Sequence, residues 1–216
     1  AFQDGWAKAV TALVSQLPRQ DLPRNPLAVN VLPGSHLTPG DIEELRDIIE
    51  SFGLQPAFVP DVSGSLDGHM PEQWLGTTLG GTPLNTLQAL GGAALTLAIG
   101  EQMRPAAQAL QERCGTPFVL LDRLTGLGAS DAFIQQLAQL SGRSVPMRLR
   151  RQRSQLVDAM LDGHFHFGNV KVALAAEPDL LFAVGSFLTE MGAELAVCVT
   201  TTASPLLARM PAVEVV

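Results

Sequence analysis

Short, nearly unbroken apolar runs recur along this chain: LAVNVL at 27–32, AALTLAIG at 93–100, TPFVLL at 116–121, VKVALAA at 170–176 and AELAVCVT at 193–200. A strand wetted on one side alternates apolar and polar residues, whereas a parallel strand covered on both faces reads as a continuous apolar run. The segments between these runs carry helical spacing. Trp6, Val10, Leu13 and Leu17 recur on one helix face before Pro18, and Ile42, Leu45, Ile48, Ile49 and Phe52 do so before Gly53. Strand alternating with helix through short turns predicts a doubly wound parallel sheet. The expected class is α/β, with two Rossmann-like parallel-sheet domains flanked by helices, the second incomplete.

Turn chemistry places the elements. In PGSHLTPGD, Thr38 can cap a helix, Pro39 takes its first position and Asp41 lies three residues after the cap. QPAFVP (55–60) predicts a strand, and a Gly-rich stretch follows before Thr82 and Pro83 open a short helix closed by Gly91 and Gly92. EQMRPAAQALQERC predicts a helix, and SDAFIQQLAQLSG a capped helix ending at Gly142. Ser144 is placed to cap the next helix, expected to run to about Leu161 and stop at Gly163, with Leu149, Leu156, Val157, Met160 and Leu161 as its apolar face. A helix from Pro178 to about Met191 and a last strand in AVEVV complete the series. The expected division is a first domain at 1–143, a connecting helix at 144–162 and the start of a further domain at 163–216. The opening AFQDGWAKAV has no initiator Met and no basic signal region, so a piece of a longer chain is expected.

Composition excludes several functions. A net charge of −7 and a pI near 5.0 disfavour nucleic acid and anionic membrane surfaces as partners. No apolar run reaches the ~18 residues of a membrane span. Cys114 and Cys198 stand far apart in sequence, which fits a reducing, cytoplasmic compartment rather than a disulfide framework.

The motifs are mostly absences. Neither PGSHLTPGD nor AAEPDL is a glycine-rich dinucleotide turn or a phosphate loop, and the second sets Glu177 and Asp179 where a phosphate would sit. Those carboxylates favour the helix dipole themselves. Arg148, Arg150, Arg151 and Arg153 crowd the front of a helix whose Asp158 and Asp162 lie toward its end, opposite to what the dipole favours. They read either as a solvated face or as planar donors for carboxylates on another domain or subunit. His164 and His166 are expected on one face of an extended segment, where packing outweighs metal binding because no third ligand can be named. Cys198 reads as a core thiol, and Cys114, at a helix end, as a poor nucleophile. The stretch 62–81, with His69, Thr77 and Thr78, reads as a lid or as an ordinary loop with Trp74 docked on the sheet. No catalytic, cofactor-binding or metal-ligating residue is assigned.

In order and spacing, NVLPGSHLTPGDIEELRDIIESFGLQPAFVPD, LGGTP, SGRSVPMRLRRQRSQLVDAMLDGHF and KVALAAEPDLLFAVGSFLTEMGAE resemble the nitrogenase component 1 family over essentially the whole chain. The resemblance implies subunits of three parallel-sheet domains, of which this chain would be the middle one and the start of the third. Within the family it points to the β-like subunit of the scaffold that assembles the iron-molybdenum cofactor, which is not an enzyme in the usual sense. It implies an α2β2 complex with the α-like NifE, transient exchange with NifB, NifH and apo-nitrogenase, a [4Fe-4S] cluster, and a bound precursor of the FeMo-cofactor in the full-length assembly. The β-like subunit's cluster cysteine lies in the first domain, and neither Cys114 nor Cys198 matches it. No cofactor is therefore expected on this chain. The alternatives are the β subunit of a catalytic nitrogenase, a relative in dark-operative protochlorophyllide reduction, or a free-standing ligand-binding domain pair.

Overall fold

A computed structural model describes residues 1–216. The chain forms two compact units, Phe2–Leu120 and Leu121–Val216.

The first unit runs α1 (Phe2–Gln16), β1 (Asn25–Leu32), α2 (Pro39–Ser51), β2 (Gln55–Phe58), α3 (Leu84–Ala89), β3 (Ala93–Ile99) and α4 (Arg104–Cys114), with β4 (Phe118–Leu121) ending at the boundary. The strands lie in the order β2-β1-β3-β4, and β1 pairs in parallel with both β2 and β3. Val29, Asn30, Val31 and Leu32 are all buried, so successive residues pointing to opposite faces both meet protein. Asn30 is tolerated there because its amide donates to Leu90 O (3.0 Å) and Thr96 Oγ1 (3.2 Å). One core cluster joins Val10 and Val14 of α1, Leu32, Ala98, and Ala106 and Leu110 of α4. Ile42, Leu45 and Ile49 of α2 are buried as the spacing predicts.

The second unit carries α5 (Leu127–Ser141), α6 (Met147–Phe167), β5 (Lys171–Ala175), α7 (Pro178–Glu190), β6 (Glu194–Val199) and β7 (Ala212–Val215). Its sheet is β5-β6-β7, parallel throughout. Leu181 of α7 packs with Leu195 and Cys198 of β6, and Val172, Leu174 and Ala212 border that cluster. The α/β class and the parallel pairing of both sheets agree with the expectation.

Several boundaries differ from it. α6 runs through Gly163 to Phe167, so His164 and His166 occupy a last helical turn rather than an extended segment. A single interior glycine costs a helix about 1 kcal/mol, too little to stop one this long. The stop comes at Gly168, whose N–H bonds His164 O, followed by left-handed Asn169 (φ 63°). Neither expected serine caps its helix. Ser130 lies inside α5 with its hydroxyl donating to Gly126 O (2.9 Å), and α6 starts at Met147 behind Pro146, beyond Ser144. Thr82 does not cap α3; it ties β2 to the following loop. The two compact units divide at 120/121, and α5 falls within the second.

Candidate functional site

In parallel α/β folds, ligands gather at the carboxyl ends of the strands, against helix N-termini. The end of β1 leads through Pro33 and Gly34 to α2, where Thr38 and Asp41 form a reciprocal capping box: Thr38 N donates to Asp41 Oδ2 (2.7 Å) and Asp41 N to Thr38 Oγ1 (3.3 Å). Two amides at this turn are thus met by the chain's own side chains, Thr38 N by the Asp41 carboxylate and Asp41 N by the Thr38 hydroxyl. His36 folds back beside Gly34, and a Cβ on Gly34 would come within 2.7 Å of Ile99 O and 2.8 Å of His36 Cε1. Burial lowers the His36 pKa, against a smaller opposing effect of Asp41, so the ring is held neutral where an anion would want a cation. At the second sheet, Asp179 is fully buried in the first turn of α7. At both strand ends the groups present, a neutral His36 with the Thr38–Asp41 box and the buried Asp179, are unsuited to holding a phosphate.

The four arginines share one helix but not one role. Arg153 forks onto Asp131 of α5, with Nε–Oδ1 and Nη2–Oδ2 both 2.7 Å. That hydrogen-bonded pair lowers the Asp131 pKa and raises that of Arg153. Arg150 Nε donates to Val145 O (3.1 Å) at the start of its own helix. All four side chains are exposed. Of the 21 residues of α6 only Leu149 is buried, and Leu161 and Phe165 are 64% and 81% exposed.

The cysteines do not form a site. Cys198 is fully buried in the second core. Cys114 Sγ lies 3.6 Å from Arg19 O. Burial raises both thiol pKa values, in Cys114 against the opposing charges of Arg113 and Arg24. No group of three or more His, Cys, Asp and Glu side chains is placed to hold a metal ion. An iron-sulfur cluster held by four thiolates does not fit the residues present. His164 instead packs over the turn after α7: a Cβ on Gly192 would come within 2.9 Å of its Cε1.

The stretch after β2 departs from one of its two readings: Trp74 is 90% exposed and does not dock on the sheet. The loop folds on itself around an open cleft of about 310 Å³ lined by residues including Ser65, His69, Leu75, Thr77 and Thr78.

Two anchors had no signal in the sequence. Arg24 donates to Gly91 O, Ala93 O, Thr116 Oγ1 and Cys114 O, and Arg113 donates to Ser15 O, Gln16 O and Pro18 O at the end of α1. Partners roughly 70 to 100 residues away leave no local pattern. In the second unit Arg209 and Arg123 lie 5.0 and 5.4 Å from the Phe182 ring centroid, both bonded to Asp122.

These features describe a Rossmann-like α/β chain whose strand ends carry His36, a Thr38–Asp41 capping box and a buried Asp179 where a phosphate would sit. A family profile described as nitrogenase component 1 type oxidoreductase matches residues 1–215. The chain belongs to the nitrogenase component 1 family. It is 51% identical over 218 residues to a Bradyrhizobium diazoefficiens protein named nitrogenase iron-molybdenum cofactor biosynthesis protein NifN, covering all of this chain and 46% of that one. A Mesorhizobium japonicum protein of the same name is 49% identical, with 98% of this chain and 46% of the relative covered. A solved chain of nitrogenase Cp1 at pH 6.5 superposes with a TM-score of 0.91 at 30% identity, over all of this chain and 49% of that one. The chain thus spans about half the length of these relatives.

Proposed function

We propose that this chain is part of the β-like subunit of a scaffold on which the iron-molybdenum cofactor of nitrogenase is assembled. The observation that carries the reading is the 51% identity, across the whole chain, to a protein named for that biosynthesis. The catalytic alternative rests on the 30% identity to nitrogenase Cp1. Since the backbone superposes at that lower identity, the fold does not separate the two readings and the side chains do. The role of the chain is scaffold and partner surface. In the full-length assembly, an α2β2 complex with the α-like NifE, the [4Fe-4S] cluster and the cofactor precursor are held outside these residues, and NifB, NifH and apo-nitrogenase exchange with the complex. In this reading the middle domain extends over 1–143, past the compact-unit division at 120/121, with 144–162 as a connecting helix and 163–216 as the start of a further domain.

The exposed outer surface of α6 supports an interface role for Arg148, Arg150, Arg151 and Arg153. Its apolar ridge of Val157, Leu161 and Phe165 at i, i+4 and i+8 lies bare in this chain.

The discriminating experiment deletes the full-length gene in its nitrogen-fixing host. Loss of an assembly scaffold leaves a nitrogenase protein that added isolated cofactor reactivates in extract. Loss of a catalytic β subunit leaves nothing to reactivate, and that outcome would replace the scaffold reading.

A further inference from the structure

The second sheet is covered on one face only. Val172 and Leu174 of β5 border the cluster of Leu181, Leu195 and Cys198, and Leu207 and Met210, from the link between β6 and β7, border it too. Both connections of this sheet, α7 and the 3-10 turn at Pro205–Arg209, therefore pack against that face. On the other face Ala173 and Ala175 are exposed, and Val199, the register partner of Ala175, is 44% exposed.

β5 is also an edge, since the strand order is β5-β6-β7. Ala176 N donates to Val199 O on the β6 side, and by alternation the N–H groups of Ala175 and Ala173 turn to the free edge. Yet residues 172–176 read VALAA, apolar at every position, the pattern of a parallel strand covered on both faces. The first unit shows that pattern satisfied. There β2 lies on one side of β1, the chain reverses to add β3 on the other, and Val29 to Leu32 are buried throughout.

Handedness dictates how β5 acquires the same cover. Right-handed crossovers that step one way along a sheet leave every connection on one face, as α7 and the Pro205–Arg209 turn do here. The other face is reached when the chain reverses and adds a strand beyond the first. We infer that β5 is an interior strand of the full-length protein. A segment of the same polypeptide outside residues 1–216 pairs in parallel with its free edge, and the helix leading into that segment covers Ala173, Ala175 and Val199. A crossover to a parallel neighbour takes about a dozen residues or more. This chain covers 46% of its Bradyrhizobium relative, so more than half of that polypeptide lies outside it. Because chain reversal supplies the missing cover, the occupant is the same polypeptide and not a second subunit. The inference does not depend on the scaffold reading, since the fold is common to the catalytic alternative.

The test uses the full-length protein in its purified complex. Hydrogen exchange of the wild type is followed at the Ala173 and Ala175 amides. An interior β5 slows both by at least about a hundredfold relative to an unstructured chain; exchange of either at the unstructured rate overturns the inference. In parallel, Val199→p-benzoylphenylalanine is irradiated in the complex and the linked peptides are sequenced. A link within one polypeptide, to a peptide outside residues 1–216, is expected. A link to a partner subunit, to a second copy of the chain or only within residues 1–216, or none at all, overturns the inference. Should that variant fail to assemble, the exchange measured on the wild type decides alone. None of these outcomes bears on the scaffold reading, which the gene deletion tests.

Discussion

Gly34 and Thr38 show how the start of the first β-α unit is determined by single side chains. A Cβ on Gly34 meets the backbone oxygen of Ile99 at 2.7 Å, and that oxygen belongs to a central strand that cannot retreat. Gly34→Ala should therefore destabilise by about 1–3 kcal/mol, as overpacking does, measured by urea unfolding. Thr38→Ala removes half of the capping box and should cost about 1 kcal/mol. The Asp131–Arg153 fork sits in water, so its worth is read from its pH dependence. The folded-state pKa of Asp131 is depressed by Arg153 below its ordinary 3.8. Its contribution is present above that ordinary value and is lost as pH falls through the lower folded value. The stability difference between wild type and Asp131→Asn should be constant from neutral pH to about 5, then shrink in stronger acid. A difference that grows in acid would contradict the sign.

α6 separates periodicity from burial. Its spacing predicts an apolar face, and Leu149 is buried as expected, but Leu156 and Val157 stay more than a third exposed and Leu161 more so. Leu149→Ala should cost about 2–5 kcal/mol, since a buried side chain is removed. Leu161→Ser and Phe165→Ser should leave the unfolding midpoint of this chain unchanged and should weaken the full-length assembly. A loss of stability in the isolated chain would show that the ridge packs internally. The end of the helix departs from its expected place for a physical reason. A Cβ on Gly163 would lie 3.0 Å from the mobile end of Met191, a tertiary contact with no local signature. The helix continues through this glycine, and the terminator lies further on at Gly168 and Asn169.

The two-unit chain holds two thiols, one in each unit, and both are shifted toward the protonated form. Anaerobic reconstitution with iron and sulfide should leave the purified chain without stoichiometric iron and without a charge-transfer band. Calorimetry with NAD(P) or ATP should show no binding, because the strand ends present His36, the Thr38–Asp41 box and Asp179 rather than a glycine-rich phosphate turn. Micromolar affinity for either nucleotide would mean that those groups move aside.

The first sheet was legible along the chain because strands covered on both faces, β1 and β3, are apolar at nearly every position, the buried Asn30 and Thr96 being bonded to each other. The α2 cap was legible because Thr38, Pro39 and Asp41 act on backbone groups within one turn. The family, too, could be read from ordered motifs. The chain alone did not show that Trp74 would stand out in solvent or that Arg24 and Arg113 would clasp carbonyls roughly 70 to 100 residues away. Nor did it show that Arg153 would find Asp131 or that α6 would lie bare. Those outcomes depend on which surfaces meet once the elements pack. Side-chain type and spacing state what a residue is able to touch; the three-dimensional arrangement selects the partner.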